Sequence, residues 1–402
     1  MKKDNGAANL FRQPKPERLS SGILPSQTIR TLIETGKIIA PTVGDEQIQP
    51  ASIDLRLGEV AYQVKASFLP SPNSLIGPKI RELQTQELDL KCPALLTPGS
   101  VFIAPLVESL ALPPDMGGKA NPKSTTGRLD IFTRLMTEGE STFEVVREGY
   151  SGDLYVEIVP RTFPIVVRAG TKLNQLRFFR GKSQSDDDQL RRLARKRQLI
   201  YYDKGEDASG PTIREGLRIS IDLSGEKGSI VAYKAKKTEL PVDLACVGTY
   251  DPHDFWEPLR AGDLRGSLVL NPGDFYLLSS KEKISVPADY AAEMVSYDPS
   301  IGEFTVHYAG FFDPGFGYGN SGEIKGTTAV LEVRAHEVPI LLEDGREVGR
   351  LIYHKMAAPP DKLYGQGIGS SYQQQGLALS KQFRKVSVSE SATRISTPVT
   401  RS

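Results

Sequence analysis

The sequence predicts a mainly β chain built from two tandem copies of one domain, each a distorted barrel or jelly roll of short strands with a few short helices. Three observations carry this. The 402 residues include 37 glycines and 28 prolines, more punctuation than a helical bundle tolerates. Short β-branched or aromatic runs bounded by Pro, Gly or Asn recur along the chain, among them VFIAPLV, TFPIVV, DFYLLSS and TAVLEV, at the spacing of a sandwich or barrel. The chain also matches itself at an offset of about 174 residues, too long a period for a solenoid.

From the N-terminus, residues 1–23 read as a flexible arm, basic but without the apolar run of a secretory signal. A helix follows. Ser26 is placed to cap it, Ile29, Leu32 and Ile33 form its apolar stripe, and Gly36 sits where a glycine ends a helix. The first domain is expected over 24–182 and the second over 213–384. LTPG at 96–99 recurs as LNPG at 270–273, and Ser52-Ile53-Asp54-Leu55 recurs as Ser220-Ile221-Asp222-Leu223. Leu112-Pro113 with Asp115 recurs as Val286-Pro287 with Asp289, and FPIVVRAGTKLNQLRFF (163–179) as VPILLEDGREVGRLIYH (338–354). Between the copies, 183–212 interleaves acids and bases and reads as a charged linker with a short exposed helix. The Ser/Thr-rich segment 385–402 reads as a disordered tail.

Composition removes several function classes. Lys and Arg number 50 against 49 Asp and Glu, a formal charge of +1, so no overall field draws nucleic acid or an anionic membrane. Two cysteines, Cys92 and Cys246, exclude a disulfide scaffold and suit a reducing cytoplasm, the expected location. Neither they nor His253, His307, His336 and His354 show zinc-ligand spacing. No phosphate loop of the Walker type and no G-x-G-x-x-G after a strand is present.

Four segments hold residues fit for chemistry. KSTTGR supplies Lys123, Ser124, Thr125, Thr126, Gly127 and Arg128, cations and hydroxyls able to grip a polyphosphate; by itself such a string is also an ordinary solvated turn. Each copy has a glutamate late in a strand, Glu157 in LYVEIV and Glu332 beside Val330 and Leu331 in AVLEVR. A carboxylate among apolar neighbours is desolvated toward the pKa of a general base, although strand alternation can equally turn it outward. HYAGFFDPGFGY (307–318) makes a tight turn at Asp313-Pro314-Gly315. LYGQGIGSSYQQQG (363–376) is too polar for core and reads as a lid or a plain tail.

Together these segments resemble the dCTP deaminase family, relatives of the dUTP diphosphatases. The resemblance rests on the helix ending in ETGKI followed by QPASIDLRLG, on KSTTGRLDI, on the strand glutamate, and on a tail with Tyr364, Ser371-Tyr372 and Gln375 at the family spacing. It implies two dUTPase-like domains of the β-clip type. It implies hydrolysis of dCTP to dUTP and ammonia, feeding dUMP and dTTP synthesis, with a glutamate as base and no metal in the chemistry. Mg²⁺ enters on the substrate triphosphate, and dTTP is open as an inhibitor. Sites between subunits of the family trimer imply a homo-oligomer with sites between domains or subunits.

The copies keep different parts. Ser124 and Arg128 match the family in the first, where the second has Asp298 and Gly302. Ala309 and Asp313 match the family turn in the second, where the first has Phe143 and Arg147. The resemblance therefore implies a composite site: Lys123, Ser124 and Arg128 from one half, with Ala309, Asp313, Glu332, Tyr364 and Gln375 from the other. Glu332 is the expected base and Glu157 the reserve. Two departures stand out: Lys123 replaces an arginine and Ser371 replaces a lysine of the lid. The rival readings are a dUTP diphosphatase, alone or combined with deamination, and a non-catalytic nucleotide-binding scaffold.

Overall fold

The computed structural model describes residues 20–69, 71, 75–202, 210–226, 228–296, 304–307, 310–365 and 376–385. It opens with helix α1 (Ser26–Glu34), whose buried Ile29 and Leu32 face the first domain's core. Gly36, at a φ of 66°, closes the helix. Its N–H reaches the Ile33 carbonyl at 3.0 Å and that of Lys37 reaches Leu32 at 2.7 Å, the paired bonds of a Schellman ending. The expected cap differs: Pro25 holds the N-cap position without a side-chain bond, and the buried Ser26 hydroxyl turns to Asp361. Proline already fixes an extended φ there, which frees the serine for a contact with the second half.

The first domain is mainly β, in two curled sheets. In one, β1 (Ile53–Arg56) pairs with the later strand Lys172–Arg180. In the other, β2 (Val101–Ala111) is followed by β3 (Met116–Pro122) of the first sheet, the short helix α2 (Ser124–Gly127) and β4 (Ile131–Thr137). Strand β5 (Ser151–Pro160) runs antiparallel between β2 and β4, with Glu157 opposite Ile103 and Arg134. Strand β6 (Ile165–Val167) carries the repeated FPIVV run, and β7 (Lys172–Arg180) lies antiparallel between β1 and β3.

The segment read as a linker contributes to the second domain. Helix α3 (Asp187–Lys196) carries an Asp186–Gln189 capping box, acids in its first turn and bases in its last, each favourable to the helix dipole. It is not simply exposed, because Leu190 and Leu193 pack with Leu199, Ile200 and Leu217. The second domain then repeats the sheet plan. Strand β8 (Leu217–Asp222) is followed by β9 (Val242–Asp243), β10 (Phe275–Ile284), β11 (Tyr290–Ser296) and β12 (Phe304–His307). Strand β13 (Thr327–Ala335) runs between β10 and β12, with Glu332 opposite Leu277 and His307. Strand β14 (Glu347–Lys355) pairs with β8 and β11.

The halves are fused by their interior. One apolar cluster joins Phe102, Val156 and Phe163 of the first copy to Phe255, Trp256, Phe275 and Phe383 of the second. Strand β9 crosses over to pair in parallel with β6, and Arg168 grips Asp243 with bonds of 3.0 and 2.8 Å. A bidentate pair and a shared core hold the two copies at a fixed separation. Among the described residues no helix is long and apolar enough to cross a membrane.

Candidate active site

Helix α2 is a single turn anchored to β7 from both sides. The Lys123 N–H and the Thr126 hydroxyl each donate to the Leu173 carbonyl at 2.9 Å. Arg128 follows in α conformation, is 6% exposed, and donates to the Ala378 carbonyl at 2.8 Å. Gly127 shows why KSTTGR needs its glycine. A Cβ built there would lie 2.5 Å from both carboxylate oxygens of Glu332, so the second copy's glutamate presses on the first copy's helix backbone. Only glycine permits that approach.

This contact sits at a cavity of about 910 Å³ between the halves. Lys123, Ser124, Thr125, Thr126 and Arg128 line it from the first copy, and Asp313, Val330, Glu332 and Tyr364 from the second. Gly127 touches it through Glu332. Leu331 is a correction: alternation along β13 puts 330 and 332 on the cavity face and turns Leu331, fully buried, into the apolar core. Ala309, Ser371, Tyr372 and Gln375 lie outside the described residues.

The reserve glutamate is elsewhere. Glu157 is fully buried on β5 but takes the Arg134 Nε at 2.9 Å and a second, closer bond from the same guanidinium. That guanidinium in turn lies 3.7 Å from the centroid of Phe143, the residue standing where the other copy has Ala309. The Glu157 carboxylate is taken up by Arg134 and lies outside the cavity lining, so Glu157 sits as a buried ion-pair partner.

Several residues at the cavity were not singled out in the sequence. Asp54 of β1, 3% exposed, pairs with Lys123 at 2.5 Å, and its repeat in SIDL was the available signal. Lys172, Lys362 and Lys381 also reach the cavity. Burial lowers the Lys381 amine from its ordinary value, Lys123 and Lys172 add to that, and Asp54 opposes. Arg177 of β7 braces the turn of the second copy: it donates to Ala292 and Phe312 carbonyls at 3.0 and 3.4 Å and to Asp313 at 3.2 Å. Its guanidinium stacks 4.0 Å from the centroid of Phe311. Burial pushes the Asp313 carboxyl above its usual range, with Arg177 opposing. Tyr364 is held by its N–H on the Pro314 carbonyl at 2.8 Å and by packing on Phe316, with ring centroids 5.2 Å apart.

Such an arrangement can do two things. A buried carboxylate at the edge of a cavity can accept a proton from water, and hydroxyls with cations beside it can hold an anionic group. Among the described residues, no group of three or more His, Cys, Asp or Glu side chains is placed to hold a metal ion.

Known proteins place this geometry. The family models for the 2'-deoxycytidine 5'-triphosphate deaminase N-terminal and C-terminal domains match residues 20–182 and 186–383. A dUMP-forming dCTP deaminase of Dictyoglomus thermophilum is 26% identical over 206 residues, covering 50% of this chain and 96% of that protein. One from a Parafrankia species is 32% identical over 162 residues, 39% of this chain and 76% of the relative. The crystal structure of 2'-deoxycytidine 5'-triphosphate deaminase from Agrobacterium tumefaciens superposes with a TM-score of 0.78 at 45% identity, covering 85% of this chain and all of that one. With both halves matched in order, the chain belongs to the dCTP deaminase family.

Proposed function

We propose that the chain deaminates dCTP hydrolytically and that the cavity between its halves is where it does so. The observation that carries this is the seating of Glu332, from the second copy, against Gly127 and beside Ser124 and Arg128 of the first. Glu332 takes a proton from water as the water oxygen bonds to carbon 4 of cytosine, and hands it to ring nitrogen N3. The same carboxylate then takes the proton of the new C4 hydroxyl and passes it to the amino group, so the C–N bond breaks, ammonia leaves, and the carbonyl of uracil forms with N3 keeping its proton. Ser124 is placed to hold the water, while Lys123, Arg128 and their neighbours take the triphosphate with its Mg²⁺.

The first experiment incubates the full chain separately with dCTP and dUTP, with chelator and then with added Mg²⁺, and measures ammonia and pyrophosphate. Ammonia from dCTP is expected; its absence under both conditions overturns the assignment. The relatives above bear dUMP-forming names, which supports a second reading in which the same cavity also cleaves the triphosphate. Pyrophosphate appearing with ammonia supports the combined activity, and ammonia with dUTP alone removes it. Nucleotide binding without any turnover would leave the scaffold reading. Inclusion of dTTP tests it as an inhibitor, and sedimentation of the chain tests the expected homo-oligomer.

A further inference from the structure

One cluster at the cavity extends beyond the family motifs of the sequence, since Lys172 and Lys381 join the motif residue Lys123 there. Lys123, Lys172 and Lys381 all line it. Lys123 pairs with Asp54, and Lys172 reaches the exposed Glu46 at only 3.6 Å. Lys381 forms no ion pair among the described residues. Its backbone is tightly placed. The Ser380 hydroxyl donates to the Thr125 carbonyl at 2.9 Å, the Gln382 amide donates to the Leu244 carbonyl at 3.1 Å, and the Lys381 carbonyl accepts the Gly248 N–H at 2.9 Å. Ser380 and Gln382 are both buried, so the chain is pinned on either side while the lysine between them reaches the cavity.

Lys123 and Lys172 are near enough to repel the Lys381 amine, with Asp54 opposing them, and a polyanion relieves that repulsion. Ser371 stands where the resemblance implies a lysine. We propose that Lys381, with Lys172 beside it, is the cation that binds the phosphate tail of the nucleotide, from the segment pinned at Ser380 and Gln382. This rests on the nucleotide reading of the cavity.

The test compares wild type, Lys381→Gln and Lys381→Arg in the full chain. For Lys381→Gln the KM for dCTP rises about 10-fold or more, as expected for loss of a charge-assisted contact. The kcat changes less than about twofold, because the contact is equal in ground and transition states. Lys381→Arg restores the KM, and raising salt weakens dCTP binding less in Lys381→Gln than in wild type. Calorimetric binding of inorganic tripolyphosphate and of deoxycytidine to the same proteins separates charge from general damage. Tripolyphosphate affinity falls in Lys381→Gln and deoxycytidine affinity does not. An unchanged KM and tripolyphosphate affinity overturn the proposal, as does equal weakening of both probes. If wild type binds tripolyphosphate through Lys381 yet releases no ammonia from dCTP, the deaminase reading fails and this assignment stands.

Discussion

Glu157 and Glu332 hold the same place in two copies of one sheet, each in the middle strand of three. What faces them differs. Across the ladder Glu157 meets Arg134, and Glu332 meets His307. Arg134 leans on Phe143 and neutralises Glu157, whereas the Glu332 carboxylate is pressed against Gly127 at the cavity. The duplicated glutamate was thus retained in both copies, and its role was decided by the neighbours. One became a buried ion-pair partner; the other faces the cavity between the halves.

The largest effect is expected from Glu332→Gln, which should cut ammonia release by about 10³-fold while dCTP still binds, measured by steady-state assay and calorimetry. Glu157→Gln should leave turnover within about twofold and instead lower stability by about 3 kcal/mol in denaturant unfolding, because Arg134 loses its buried counter-ion. If the two variants exchange these phenotypes, the comparison is wrong. Gly127→Ala leaves every charge in place but intrudes on the Glu332 carboxylate, and kcat should drop by about 10-fold or more with little change in KM. A fully active Gly127→Ala would separate Glu332 from α2.

Smaller effects sharpen the picture. Arg177→Met removes the cation that opposes the burial-driven rise of the Asp313 carboxyl, so that carboxyl rises further, and the acid limb of the kcat/KM profile should move to higher pH. An unmoved profile would show that Asp313 does not matter in its ionised form. His354 provides the mildest test, on the seam between the halves. Its Nδ1 lies 3.0 Å from the Ser183 hydroxyl, and burial, with Arg177 and Lys119 nearby, pulls its pKa down to about 3 from 6.5. The folded chain keeps this imidazole neutral while the unfolded chain protonates it. Stability is therefore full above pH 6.5 and declines as pH falls toward 3, by about 2 kcal/mol between pH 7 and 5. Replacing it, His354→Gln, should flatten that slope in unfolding titrations; an identical slope would assign it to other groups.

Much of the architecture was legible from local pattern. Strand runs bounded by Pro and Gly, the Gly36 helix ending and the ordered repeats all depend on neighbours in sequence. The complementary halves of the cavity were legible for a different reason: Ser124, Arg128 and Asp313 are polar residues in motifs that the copies keep unequally, and Glu332 belongs to the copy with the intact turn. What escaped notice depends on contacts made only in the folded chain. Arg177 reads as an outward strand residue in LNQLRFF until β7 meets the turn at Phe311–Asp313. Lys381 falls inside the expected second domain, but nothing local says that Ser380 and Gln382 pin it. Leu331 faces the core because a site in a strand takes alternate residues, not adjacent ones. Ser26 reads as the cap of its own helix, yet its hydroxyl bonds Asp361.

The central claim is that one site is shared by two halves of the same chain, and the direct measurement is a mixing test. Arg128→Ala and Glu332→Gln chains are co-expressed, purified together and assayed for ammonia from dCTP. Because both residues line one intrachain cavity, every chain in the mixture carries a defective site, and activity should stay at the level of the single variants. Recovery of a substantial fraction of wild-type turnover would mean that Arg128 and Glu332 meet across different chains, and would contradict the account.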